Sequence, residues 1–195
     1  MSAIDPINFL ILLNVVATFG ANVTGAKKGL KSTVSEIREK PKTFLQKFPP
    51  VISMLSLVAL LFAAFQIGTL EYAKEFNLIR YIGLAVYLVF SWIQVWSFKS
   101  LGENYSQDIM IKKSHELVMK GPFKIIRHPQ YMCQILLDLG ATVATLGYVV
   151  GFLALIEIPI YIMRASAEDK LLYKYFAEKF SEYKKKSGFM IPFIG

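Results

Sequence analysis

Apolar residues along this chain come in long blocks separated by basic stretches. The first block runs from about Pro6 to Ala26, the second from about Pro50 to Leu70 behind Pro49-Pro50, and the third from about Leu78 to Phe98. Each is close to the ~20 residues that carry a helix across a hydrocarbon core of ~30 Å at ~1.5 Å per residue. The fourth block, from about Pro129 to Met163, is too long for one crossing and just long enough for two short ones; Gly147 and Gly151 bracket the place for a tight hairpin. The pattern predicts an all-α polytopic membrane protein with about five transmembrane helices, at about 6–26, 50–70, 78–98, 129–146 and 149–164, in a single domain over residues 1–195. Residues 99–128 and 164–195 are left outside the membrane. Within the second of these, Leu172, Phe176 and Phe180 recur every four residues with Leu171 and Tyr175 beside them. Residues 165–186 therefore read as an amphipathic helix ending near Gly188, packed on the membrane surface or on the loop before the fourth span.

Charge sets the expected orientation. Seven Lys/Arg lie in Lys27–Lys47, six in Lys99–Arg127 and seven from Arg164 onward, whereas the second loop has only Lys74 and Arg80 and the fourth has none. Five crossings put all three basic segments on one side, as the positive-inside bias requires, with the N-terminus outside and the C-terminus cytoplasmic. Four crossings would put the last basic segment outside. The composition, 54% hydrophobic and 18% charged, argues against a soluble domain, which carries about 25% charged residues. The net charge of +8 suits an anionic leaflet; no nucleic-acid recognition motif accompanies it. A lone cysteine, Cys133, excludes an intrachain disulfide, and with only His115 and His128 to add to it no structural zinc site is expected. The start, MSAIDPINFLILL, lacks a basic region and reads as a first spanning helix rather than a cleaved signal. The membrane would be the cell membrane in a prokaryote and the endoplasmic reticulum in a eukaryote.

Candidate chemistry is densest in Gly121-Pro122-Phe123-Lys124-Ile125-Ile126-Arg127-His128-Pro129-Gln130-Tyr131. A titratable imidazole stands here beside a fixed cation at the water boundary. The same residues also suit a plain membrane boundary: Pro129 in the first turn of a helix, Arg127 snorkelling, Tyr131 in an aromatic belt. A second cluster, Arg164 with Glu168 and Asp169, lies at the end of the fifth span, where Arg164 and Glu168 could equally form a helix-surface ion pair. A hairpin of spans four and five would bring both clusters to one face. Asp138 and Glu157 fall inside apolar blocks, where ionisable groups are costly and mark functional sites unless they are hydrogen-bonded between helices. Trp92 and Trp96 suit packing, and small residues such as Gly83 allow close helix contact. No dinucleotide or P-loop glycine pattern, GxSxG, HExxH or CxxC occurs.

Ser114-His115-Glu116-Leu117-Val118, then Gly121-Pro122-Phe123, then Arg127-His128-Pro129-Gln130-Tyr131, resembles the isoprenylcysteine carboxyl methyltransferases, part of a wider set of membrane methyltransferases that includes phospholipid N-methyltransferases. The tail, from Arg164 and Glu168-Asp169 to Ile191-Pro192-Phe193-Ile194, is similar as well, and the compact form looks like the archaeal member. The resemblance implies S-adenosyl-L-methionine as cofactor, S-adenosyl-L-homocysteine as product, and methylation of the C-terminal carboxylate of a prenylated cysteine that arrives from lipid. It also implies a cofactor site at His115, Glu116, Leu117, Val118, Gly121, Phe123, His128, Pro129, Gln130, Tyr131 and Glu168, with Arg164 and Glu168 serving the reaction. Asp169 stands where many members carry a second Glu. The resemblance covers roughly Lys99 to the end and weakens where a lipid substrate would be selected. Two other readings stay open. A phospholipid ethanolamine N-methyltransferase would need a base, with Glu168 or His128 as candidates. A non-enzymatic lipid-binding or transport protein would use Asp138 and Glu157.

Overall fold

The structure is a computed structural model that describes residues 5–31 and 37–195, with only the backbone for 22–31, so the side chains of Lys27, Lys28 and Lys31 lie outside the described residues. Five helices follow one another: α1 (Pro6–Lys31), α2 (Phe48–Ala64), α3 (Asn77–Leu101), α4 (Pro129–Thr145) and α5 (Tyr148–Lys186). A small antiparallel ribbon, β1 (Ile37–Glu39) with β2 (Ile111–Lys112), is added to the expected all-helical plan. Among the described residues, Phe44–Ala64, Lys74–Asn104 and Tyr148–Lys186 are long and apolar enough to cross a membrane by length and composition. The apolar helix at Pro6–Ala21 and the 17 residues of α4 are shorter.

One end of the bundle is drawn together by polar groups. Arg80, in the first turn of α3 and buried, donates from Nη2 to Asp5 Oδ1 (2.7 Å) and from Nε to the Ala144 carbonyl (2.9 Å), with its guanidinium 3.7 Å over the Tyr72 ring. Asn8 Nδ2 donates to the Ala64 carbonyl (3.1 Å) and Tyr72 Oη to the Thr145 carbonyl (2.9 Å). Arg80 is thus a buried anchor in α3, not a loop charge. Helix α2 stops six residues before the apolar run does. Gln66 (φ 62°) and Gly68 (φ 72°) turn the chain, and the Leu70 N–H then donates to Leu146 (3.0 Å) while the Tyr148 N–H donates to Gly68 (3.1 Å). The apolar tail of the second block is therefore spent on a loop fastened to the α4–α5 turn.

That turn is only Leu146-Gly147, with Leu146 left-handed at φ 50°; Gly151 lies inside α5. The hairpin returns α5 alongside α4. Helix α3 packs closest to α4, through small residues: a Cβ on Gly83 would come within 2.6 Å of the Ala144 nitrogen, and one on Gly140 within 2.7 Å of the Tyr87 nitrogen. Ile7, Ile11, Leu60, Leu84, Leu137 and Val150 fill the core around this contact.

At the opposite end α5 does not stop where its apolar stretch ends near Arg164. It continues, and Leu171, Leu172 and Phe176 pack against Leu45, Ile109 and Ile111, the second of the two surfaces expected for the amphipathic stretch. Ala177 (φ 35°, ψ −106°) bends the last turns. Tyr183 then donates to the Phe123 carbonyl (2.5 Å) and Phe180 is buried.

The Gly83–Gly140 contact yields a stability test. Gly140→Ala should cost about 1–3 kcal/mol, seen as a lower unfolding temperature in detergent. Gly20→Ala, with nothing within 4 Å of the new Cβ, should leave that temperature unchanged or slightly higher.

Candidate active site

The site lies at the α4 N-terminus, where the Pro122–Lys124 turn, the chain end and α5 converge. Pro129 opens α4, and the residue before it, His128, has φ −122° and ψ 57°, outside the α region that a following proline disfavours. The chain end runs beside this step: the Arg127 N–H donates to Gly188 (2.8 Å) and the His128 N–H to Phe189 (3.1 Å). These backbone bonds hold both side chains inward. His128 Nε2 is 2.7 Å from Asp169 Oδ1, and its Nδ1 is 3.6 Å from Glu168 Oε2. Arg127 reaches Asp169 Oδ2 (3.2 Å), the Ser187 carbonyl (2.6 Å) and the Gly195 carbonyl (3.0 Å). Arg127 therefore does not snorkel; it is buried and clamps the chain end to α5.

Burial alone would lower the His128 pKa, but hydrogen bonds to Asp169 and Glu168 and their negative charge outweigh it, so the imidazole titrates above its ordinary value. Burial likewise works against ionised Asp169, and the bonds and charges of His128 and Arg127 more than compensate, so that carboxyl titrates below its ordinary value. Both shifts favour an ion pair. His115 is the opposite case: burial and the nearby Lys112 charge keep its pKa low against the pull of Glu168, and its buried Nδ1 has no partner among the described residues.

The second cluster centres on Arg164, which is 4% exposed and so is not the surface ion-pair partner its spacing allowed. Its Nε donates to Tyr131 Oη (2.7 Å), Nη1 to the Leu45 carbonyl (2.9 Å) and Nη2 to the Gln107 carbonyl (2.5 Å). Tyr131 in turn donates to Glu168 Oε1, which lies 3.5 Å from Arg164 Nε. Glu168 thus joins the Arg164–Tyr131 group to the His128–Asp169 group.

Two openings flank this junction. An inner cleft of about 100 Å³ is lined by His115, Glu116, Leu117, Val118, Phe123, His128, Gln130 and Glu168 among others, and shares His115, Glu116, Leu117 and Tyr183 with an outer recess of about 770 Å³. Together they match the ~300–1,000 Å³ of small-molecule sites. A separate lateral recess of about 140 Å³, between α2, α3, α4 and α5, is lined by Pro49, Ser53, Gln94, Gln130, Tyr131 and Arg164 among others. Of the residues expected at the cofactor site, Gly121, Pro129 and Tyr131 do not line the cleft. Gly121 (φ 59°) makes a turn packed on Ser100 and Trp96, Pro129 starts α4, and Tyr131 faces the lateral recess with Arg164.

Sequence reasoning missed the carbonyls of Leu45 and Gln107 and the cleft wall at Asn104, Asp108 and Ile109. Backbone carbonyls carry no residue-type signal. Asp138 and Glu157 lie near each other deeper in the bundle; Asp138 accepts from Gln134 (2.7 Å) and Glu157 from Ser56 (2.9 Å), while Glu157 Oε2 is buried without a hydrogen-bond partner among the described residues.

Glu168 and nearly all of the inner cleft lie in the segment that matches a family model, that of the isoprenylcysteine carboxyl methyltransferase (ICMT) family, over residues 81–174. The matched segment is 94 of the 195 residues, just under half of the chain. The chain is 25% identical over 144 residues to the protein-S-isoprenylcysteine O-methyltransferase of Schizosaccharomyces pombe, covering 65% of this chain and 61% of that one. It is 34% identical over 92 residues to an uncharacterized protein, YpbQ, of Bacillus subtilis, covering 47% and 55%. In fold it is similar to a solved eukaryotic intramembrane Ras methyltransferase ICMT, with a TM-score of 0.57 at 18% identity over 74% of this chain and 52% of that one. The chain thus spans between about half and three fifths of the length of these proteins.

The His128–Asp169 pair predicts a pH dependence of stability. A raised histidine pKa contributes stability that is complete below about pH 6.5 and is lost as pH rises through the folded value; a lowered aspartate pKa contributes stability that is complete above about pH 4 and is lost as pH falls. The unfolding temperature of His128→Gln should therefore lie furthest below the parent's near pH 5 and close on it by pH 9, at roughly 2–4 °C per kcal/mol. A gap independent of pH would show that the pair carries no charge.

Proposed function

We propose that this protein is an integral-membrane methyltransferase that uses S-adenosyl-L-methionine to methylate the C-terminal carboxylate of an isoprenylated cysteine. The observation that carries the reading is the pairing of an inner cleft with a lateral recess floored by a buried cation, the two sharing Ser106 and Gln130 in their walls. The proposal includes five crossings, with the three basic segments and both openings on the cytoplasmic side.

The residues present fit the cofactor. Leu117, Phe123, Leu171 and Leu172 give apolar walls for a nucleoside, while Glu116, Glu168 and the unpartnered His115 Nδ1 offer hydrogen-bonding groups. When bound there, S-adenosyl-L-methionine supplies a sulfonium-activated methyl group. Everything else is asked of the protein. A carboxylate is already ionised at neutral pH, so it needs no base; it needs orientation and the removal of water. Arg164 uses three of its five donors on Leu45, Gln107 and Tyr131, leaving N–H groups for an incoming carboxylate. Held this way the cation does not rotate when substrate arrives, and alignment is worth ~7–11 kcal/mol in favourable cases. A prenyl chain partitions into lipid at about 0.8 kcal/mol per CH₂, so it reaches a recess that opens between helices without leaving the bilayer.

Methylation of an ethanolamine head group is the competing reading. An ammonium must lose its proton before attack, and Arg164 faces the recess where it would sit; that placement favours a carboxylate.

Titration calorimetry with S-adenosyl-L-homocysteine, together with parallel assays on N-acetyl-S-farnesyl-cysteine and phosphatidylethanolamine, tests the reading. Methylation of the prenylcysteine alone is expected. Arg164→Lys should keep the calorimetric affinity while lowering turnover about 100-fold, because an ammonium cannot reproduce a guanidinium fork. Normal turnover in that variant would remove Arg164 from the reaction, and methylation of the phospholipid alone would replace the substrate.

A further inference from the structure

Ser106 and Gln130 are the two residues that line both the inner cleft and the lateral recess. Gln130 is the second residue of α4, so it is fixed by the same turn that positions His128. Two other buried or half-buried amides of the recess are bonded in a chain: Gln94 Nε2 donates to Gln134 Oε1 (2.7 Å), and Gln134 Nε2 donates to Asp138 Oδ2 (2.7 Å). Gln94 Nε2 also approaches the Gln130 backbone carbonyl (3.4 Å). The Gln130 side chain differs, because its Oε1 is buried and has no donor among the described residues. A buried amide oxygen left without a donor is unfavourable, and this one stands at the partition between the two openings, in the recess that Arg164 also faces.

We propose that Gln130 is a specificity-determining residue whose Oε1 accepts a hydrogen bond from an N–H of the acceptor. Resting on the carboxylate methylation proposed above, this names the substrate class more narrowly: α-amido carboxylates, in which the N–H and the carboxylate hang on one carbon, as at the C-terminus of any peptide. Arg164 takes the carboxylate and Gln130 takes the neighbouring N–H. A prenylated carboxylate without that N–H leaves Gln130 unpaired and binds less well, as sites built around a hydrogen bond reject analogues that lack it.

The test compares N-acetyl-S-farnesyl-cysteine with S-farnesyl-3-mercaptopropionate, which keeps the thioether, prenyl chain and carboxylate but has no amide. Equilibrium binding of each to the detergent-solubilised full chain is measured with S-adenosyl-L-homocysteine present, and turnover is measured separately. The parent should bind the amide compound about tenfold more tightly. Gln130→Met, of similar length and without the acceptor, should bring the two affinities together when each protein is saturated with S-adenosyl-L-homocysteine. A parent that binds both compounds equally, or a Gln130→Met protein that keeps the preference, overturns the assignment. So does a variant that keeps the preference but loses S-adenosyl-L-homocysteine affinity, since that puts the amide on the cofactor side alone. A preference that depends on Gln130 without methylation of either compound supports this contact and removes the transferase reading.

Discussion

A guanidinium buried where an apolar helix bundle meets water must find its partners within the protein, and Arg164 organises the site because it does so. Its three bonds, to the Leu45 carbonyl, the Gln107 carbonyl and Tyr131, join α5 to the turn before α2, to the loop after α3 and to α4. An unpaired buried charge costs several kcal/mol, so these four segments cannot drift apart cheaply. The floor of the lateral recess is consequently built before any ligand arrives. The two-residue turn at the far end of α4 and α5 makes this possible, since it fixes which residues of the two helices lie level with each other.

The same demand for partners recurs along the α4–α5 seam. Tyr131, Gln134 and Asp138 follow one another at intervals of three and four on α4, and Glu157, Tyr161 and Arg164 do so on α5, which puts each set on one helix face. The two faces meet, and Ser56 of α2 and Gln94 of α3 complete the bonding. Tyr131 and Tyr161 stack with ring centroids 5.3 Å apart. The seam is thus a polar track that starts at Arg164 and ends at the Asp138–Glu157 pair, about two helical turns further in. The acids that looked isolated in the sequence lie beside each other, with Gln134 and Ser56 as donors, and Glu157 Oε2 stays buried without a hydrogen-bond partner among the described residues.

Hydrophobic blocks made the helices legible because burial in lipid or protein leaves one strong statistical trace. Where a helix ends is a different question. The second apolar block runs on to Leu70, yet α2 ends at Ala64, because Gln66 and Gly68 turn the chain so that it can bond to Leu146 and Tyr148; that contact joins residues about eighty apart. Conversely, the change from apolar to charged residues at Arg164 looked like an end and is only a change of solvent, since nothing in residues 165–176 breaks a helix. Arg127 was misplaced for a related reason. A boundary arginine usually extends toward water, but here the chain end supplies two carbonyls and α5 supplies Asp169. The meeting of His128, Tyr131, Arg164 and Glu168 was readable from spacing and an assumed hairpin. The cleft at His115–Val118 was readable only by resemblance, since a loop of mixed residues has no periodicity to betray its fold.

The family match also divides the site. Its residues, 81–174, carry nearly all of the inner cleft and the whole of the α4–α5 seam, but Pro49, Pro50 and Ser53, which wall the lateral recess, belong to α2 and lie outside it. On the methyl-transfer reading, the group that is the same in every turnover is held by the matched segment, and the group that differs between acceptors meets side chains from both. Substitutions on the recess face of α2 would then alter which acceptor fits without disturbing Glu168, His128 or the cleft. Gln130 is the exception: it belongs to the matched segment yet touches both openings, so a change there cannot be confined to one of them. On that same reading, the acceptor could change by steps in α2 while the charge-bearing seam, which also holds the helices together, stays as it is.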